Sequence, residues 1–451
     1  MKKIVILAII ALLSFGHTIN GQVKKFGKVA KEELESKVDK EFGGANAVVL
    51  FKKRRSYYNY SGDDGFSLTT EVHERIKLYN KEAFDYATKK LRYYIAGSKD
   101  EKITIKATTY NLEGGKVVKT KLKKKNIFDK EENKFWSSKS FTMPNLKEGC
   151  IVEWKYTIES PHYTSLNDIV FQYNIPIKYI DAKISIPEYF MYNATASKYY
   201  MIKVRKEKKN RSISYVYREK DTYGSETKYN RTLEMTENIY MVNLTNVKAL
   251  KEEPYVNNIN NYRGKVEFEL TGIKYPNSSY KSYSTDWNSV TKTIYQSSNF
   301  GGELKKSNYF KKDLAKIIKE TKSKDEKIMT IFSFVKNKIK WNGYYDYYTH
   351  NGVRKAYKDG VGNVAEINLI LVAMLREAGI DTSPVLVSTR SHGVPIFPTR
   401  DGFNYVIAGV ELLNELILLD ATEPYSLPNV LPKRVLNCKE ELLENRVHQH
   451  L

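Results

Sequence analysis

Nucleophilic attack on an amide needs a thiol or hydroxyl, a base to take its proton, and a group that orients the base. The 451 residues supply few such sets: two cysteines, Cys150 and Cys438, and seven histidines. Cys150 alternates with Val152, Trp154 and Tyr156, the pattern of an inward strand face, and reads as a buried structural thiol. Cys438 falls in a charged terminal stretch. A better setting is the start of the apolar run at Asn363-Val364-Ala365-Glu366. Asn363 can cap a helix there, and Glu366, three residues on, can reach back to complete a capping box. A thiol just inside such a start would sit among free N–H groups at the positive end of the helix dipole, which favours thiolate. Val364 occupies that place and has no nucleophilic atom. His392, in the loop Ser391 to Arg400, could in principle join Glu366 and Asp420 to activate water, though no spacing signal supports the set. No cluster has metal-ligand spacing and no glycine-rich loop suits a phosphate, so neither metal nor nucleotide cofactor is expected.

The elements that would position these residues change character along the chain. From Ala47 to about Pro276 short alternating runs dominate, such as Ile103-Thr104-Ile105-Lys106-Ala107 and Val266-Glu267-Phe268-Glu269-Leu270. Glu113-Gly114-Gly115-Lys116 reads as a hairpin turn. Many short strands with turn signals predict antiparallel sheets packed as a sandwich. From about Thr285 the period becomes helical: Ile328, Phe332, Val335 and Ile339 recur behind Ser323 or Asp325 as caps. A second helix, from about Asn363 to a stop at Gly379, is apolar nearly all round, as a buried helix must be. Strands follow at about 385–388, 403–410 and 416–419. The expected fold is α+β, with a β-rich region preceding a helix packed on an antiparallel sheet.

Gly362-Asn363-Val364-Ala365-Glu366, Phe403-Asn404-Tyr405-Val406-Ile407 and Leu418-Leu419-Asp420-Ala421-Thr422, in that order, resemble the core of a transglutaminase-like, papain-related enzyme. The resemblance implies a Cys at the helix start, a His on the next strand and an Asp on the strand after. The aligned residues are Val364, Tyr405 and Asp420, so only the carboxylate is kept. Glu366, His392 and Asn404 are the candidate binding residues around this frame. The earlier region is also similar to a family, through Ala47-Val48-Val49-Leu50-Phe51, Met143-Pro144-Asn145-Leu146-Lys147-Glu148-Gly149 and Phe171-Gln172-Tyr173-Asn174-Ile175-Pro176. It resembles a domain of unknown function that commonly precedes a transglutaminase-like core in exported proteins of Gram-negative bacteria. The expected organisation is a signal peptide over 1–22, a β-rich domain with joining segment over 45–280, a transglutaminase-like domain over 285–437, and an atypical charged tail over 438–451.

The leader reading rests on Lys2 and Lys3 before an apolar run from Ile4 to Phe15, with Gly21-Gln22 as a cleavage zone. No later apolar run is long enough for a membrane-spanning helix. Together with the resemblance, this implies export to the periplasm or the outer membrane. The net charge of +22 would suit an anionic surface, but no nucleic-acid recognition motif accompanies it. Two functions follow. One is a non-catalytic, degenerate transglutaminase-like protein that binds or scaffolds a protein, peptide or cell-envelope polymer. The alternative is an enzyme acting on amide bonds, by hydrolysis or amine transfer, with a non-standard nucleophile.

Overall fold

The computed structural model describes residues 25–436, apart from 96–99, 133–134, 221–222, 224–225, 257, 284–285, 396–397, 400–401 and 413–414. The leader, Cys438 and the charged tail lie outside these residues. The architecture is α+β, and the chain divides into two compact units. One comprises Met1–Tyr163, Phe171–Ile186 and Lys203–Leu250; the other comprises Thr164–Val170, Pro187–Ile202 and Lys251–Leu451.

The first unit is built on an eight-stranded sheet. Its spatial order is Arg205–Lys220, Glu226–Val247, Ile177–Pro187, Ala47–Ser61, Gly65–Leu78, Ile151–Ser160, Lys102–Glu113 and Lys116–Lys121. The hairpin Ala47–Ser61/Gly65–Leu78 turns through Gly65, whose φ of 72° suits a residue without a Cβ. One pairing departs from the antiparallel expectation: Ala47–Ser61 runs parallel to Ile177–Pro187. A smaller sheet of Thr88–Tyr94, Trp136–Thr142 and Phe128–Glu131 packs on one face of the large one. There Phe141 meets Trp154 edge-on, and Lys89 lies over the Trp154 ring. Glu74 is buried at this interface, and burial works against its charge. Lys89, Lys52 and the Trp154 indole N–H nevertheless hold its pKa below the usual carboxylate range. Burial brings the Lys52 ammonium down to about 8.

The other face of the large sheet carries a fully buried Arg75. Its guanidinium reaches Glu153 Oε1 at 2.7 Å and Glu33 at 3.1 Å, and donates to the Lys28 carbonyl at 2.8 Å. Gly27 N–H donates to Glu153, and Lys77 Nζ to the Leu34 carbonyl. The charged stretch before Ala47 is therefore part of the fold. It lies on the sheet and supplies the partners that make a buried arginine tolerable. Cys150 is free and buried, and burial raises its pKa.

The second unit contains a small sheet in which Phe190–Ala196, Lys281–Ser282 and Ile169–Val170 all pair with Lys265–Ile273. Helices follow at Trp287–Gln296, Lys311–Ile317, Lys324–Lys338, Val353–Asp359 and Val364–Glu377. Of the two caps considered for Lys324–Lys338, Ser323 takes the place, accepting the Glu326 N–H at 3.1 Å. Every residue from Val364 to Leu375 is buried, as an all-round apolar helix requires. That helix packs against the antiparallel sheet Thr382–Val387, Tyr405–Leu412, Glu415–Leu419.

Candidate functional site

The central helix begins in a closed polar frame. Asn363 Oδ1 accepts the Glu366 N–H at 2.9 Å, and Glu366 Oε2 accepts the Asn363 N–H at 2.8 Å, completing the capping box. Glu366 Oε1 also takes the N–H groups of Asn351 and Gly352, at 2.5 and 3.1 Å. The carboxylate is fully buried, and three backbone donators occupy its two oxygens, so it fastens the turn at 351–352 to the helix start. Val364, the first helical residue, is itself fully buried. Its N–H donates to the Tyr344 carbonyl at 3.3 Å, which also accepts the Trp341 indole N–H at 3.1 Å. The Tyr345 ring stacks on Trp341 at 5.4 Å and lies 5.7 Å from the ring of Tyr405. The loop 342–351 thus covers the helix N-terminus.

Behind it the sheet supplies a hydrogen-bonded cluster around Asp420. Asp420 Oδ2 accepts the Tyr405 hydroxyl at 2.7 Å. Asp420 Oδ1 accepts three groups: Thr422 N–H at 3.0 Å, Thr422 Oγ1 at 2.7 Å and Asn368 Nδ2 at 3.1 Å. Four donors match the roughly four lone-pair sites of an ionised carboxylate. Asn368 is itself anchored, because its Oδ1 accepts the Ala421 N–H and its Nδ2 reaches the Val406 carbonyl.

The Tyr405 and Thr422 hydroxyl oxygens lie 2.7 Å apart. With both hydroxyl protons directed to Asp420, that pair has no proton left to share. Arg434 explains the approach: its Nε donates to Tyr405 at 3.1 Å and its Nη2 to Thr422 at 2.8 Å. One planar guanidinium bridges both oxygens. Its Nη1 pairs with Glu423 at 3.1 Å, and its plane lies 4.5 Å from the Trp341 ring.

The chemistry follows from these contacts. Val364 offers no nucleophile. Burial, then the Asp420 charge, push the Tyr405 phenol far above its usual range, so at neutral pH it is a fixed donor and not a proton shuttle. Asn404 faces Thr389, accepting its N–H and donating to its Oγ1, each at 2.9 Å. The His392 N–H closes a turn onto the Thr389 carbonyl at 3.0 Å. The oxygens of Glu366 and Asp420 are committed to the separate sets of partners above.

Sequence reasoning brought together Val364, Tyr405 and Asp420 but missed Asn368, Thr422 and Arg434. Two of these had a signal. Asn368 lies one turn beyond Val364 on the same helix face, a lone amide in an apolar run. Thr422 sits two residues after Asp420, where an Asp side chain caps its own turn. Among the described residues, no group of His, Cys, Asp and Glu could hold a metal ion.

Residues 65–226 match the family described as a domain of unknown function with solved structure, DUF3857. Residues 312–410 match the transglutaminase-like superfamily. A DUF3857 region is therefore followed by a transglutaminase-like domain. Among curated proteins none matches the chain. Among solved structures, a candidate protease from Parabacteroides distasonis aligns over 83% of this chain and 67% of its own, at 14% identity and a TM-score of 0.57, which shows a shared fold. A candidate cysteine protease from Cytophaga hutchinsonii aligns over 59% of this chain and 76% of its own, at 11% identity and a TM-score of 0.22. An M1 zinc metallopeptidase from Deinococcus radiodurans aligns over 46% and 45%, at 8% identity and a TM-score of 0.17.

Proposed function

We propose that this is a degenerate transglutaminase-like protein, exported to the cell envelope, that binds or scaffolds and does not catalyse. The observation that carries the reading is the state of the Asp420 carboxylate. In a working triad it would orient an imidazole beside a thiol; here its four donors are Tyr405, Thr422 twice and Asn368. The nucleophile position is a sealed valine. A partner would meet the outside of this closed frame, where Tyr344 and Tyr345 are 41% and 38% exposed beside Trp341. Such an aromatic rim suits a peptide or an envelope polymer. Export rests on the leader pattern, and no helix among the described residues is long and apolar enough to cross a membrane.

The test is amide hydrolysis and amine incorporation by the purified chain alongside Asp420→Ala. The expected result is no turnover above background in either. Turnover lost on Asp420→Ala would overturn the reading. It would favour the second reading, an amide-bond enzyme with a non-standard nucleophile, whose support is the fold shared with a candidate protease. Turnover surviving alkylation of both cysteines would then assign activated water as the nucleophile.

A further inference from the structure

The first unit carries a second polar site, unrelated to the helix start. Where the segment at 25–36 stops covering the eight-stranded sheet, a cavity of about 250 Å³ opens on the same face, lined by Lys25, Lys53, Arg55, Glu71, His73 and Lys155. Strand register explains the charge. Lys53 lies opposite His73, His73 opposite Lys155, and Lys155 opposite Lys106, so four neighbouring strands present basic residues in one row. Like charges directly opposite one another are unfavourable, and the row relies on a few acids on the same face, among them Asp181 opposite Lys53.

The acids nearby are already engaged. Asp181 pairs with Arg55, and Glu71 pairs with Lys155 at 3.1 Å while accepting the Tyr57 hydroxyl. His73 Nε2 is bonded to Glu153 at 2.9 Å. Lys53 lies opposite Asp181 and its charge acts on Glu71, so the four cations Lys25, Lys53, Arg55 and Lys155 share two acids, Glu71 and Asp181. Four cations against two carboxylates leave an excess of two positive charges. Adjacent strands are about 4.8 Å apart, so Lys53 and Lys155 flank a gap of roughly 10 Å that their side chains can close around one tetrahedral group. The cavity is smaller than the roughly 300–1,000 Å³ of a drug-sized site, which favours a compact anion. A phosphate, with a charge of about −1.5 to −2 at neutral pH and several acceptor oxygens, meets both conditions.

We propose that this cavity is a binding site for a phosphate or phosphate monoester, held by Lys25, Lys53 and Lys155 between Arg55 and His73. Free phosphate and a phosphorylated lipid headgroup share this chemistry, and the assay separates them. The full chain is titrated with inorganic phosphate at low ionic strength and, separately, with vesicles containing phosphatidic acid. Lys25→Gln/Lys53→Gln is compared with Lys121→Gln/Lys125→Gln, which removes the same charge from exposed positions elsewhere. The expected result is saturable, salt-sensitive binding, weakened at least tenfold by the first pair and unchanged by the second. Binding of phosphate assigns a soluble ligand; binding of vesicles alone, with the same variant pattern, assigns a headgroup. No saturable binding to either, or equal weakening by both pairs, overturns the proposal.

Discussion

Tyr405→Phe isolates the polar content of the degenerate site from its packing. The ring is retained, so no cavity opens between the sheet and the helix. What disappears is one hydroxyl, which donates to Asp420 Oδ2 at 2.7 Å and accepts from Arg434 Nε at 3.1 Å. Asp420 is fully buried and loses one of its donors. A hydrogen bond to a charged group is worth about 1.5–3 kcal/mol, and the penalty is greatest where the remaining partner stays buried. Arg434 is 18% exposed in its side chain and can recover water, so the lower half of that range applies, ~2 kcal/mol. For a unit of this size that corresponds to a fall in Tm of roughly 4–8 °C. Urea unfolding read by hydrogen exchange in Val364–Glu377 would report this unit and not its neighbour. A loss below ~0.5 kcal/mol, the ordinary range for an unimportant surface change, would refute the reasoning and reduce Tyr405 to a core-filling ring.

Further outcomes follow from other groups. Val364→Cys alone should resist iodoacetamide at pH 7, because burial disfavours the thiolate and the phenol at 405 supplies no base. Val364→Cys with Tyr405→His should label at 364, since the capping box and Asp420 remain; a folded double variant that stays unlabelled would show that the frame has been rebuilt around Tyr405. In the first unit, burial brings Lys77 down to about 8, against about 10.4 unfolded. Between those values the unfolded chain binds more protons, so stability rises with pH, by up to ~3 kcal/mol for this one group. Buried phenols such as Tyr110, raised by burial and by Glu153, reverse the slope above about pH 10. Stability in urea should therefore peak at pH ~10, and Lys77→Met should flatten the rise; a steady fall from pH 8 to 10 would contradict the assignment.

What the sequence revealed was local. The central helix was legible because Asn363, Glu366 and the apolar run state its start and its burial together, and Gly379 states its end. Strand positions were found to within a few residues: Tyr405–Leu412 against an expected 403–410. The parallel pairing of Ala47–Ser61 with Ile177–Pro187 was invisible, because alternation identifies a strand and its inward face but not its neighbour or direction. The role of the stretch before Ala47 was also hidden. Its charges look solvated in sequence, and only the buried Arg75 gives Glu33 and the Lys28 carbonyl a purpose. Arg434 had no local signal at all, since it comes from a short turn beyond the sheet and acts through partners on other elements.

That guanidinium brings Trp341, distant in sequence, together with Tyr405 and Thr422 from its own end of the chain. The Trp341 contact closes a long loop, and contacts of long sequence separation tend to form late in folding. Interactions absent from the transition state slow escape from the native state and leave its formation rate nearly unchanged. The arginine clasp should therefore act as a kinetic lock, setting how long the domain stays folded more than how fast it gets there.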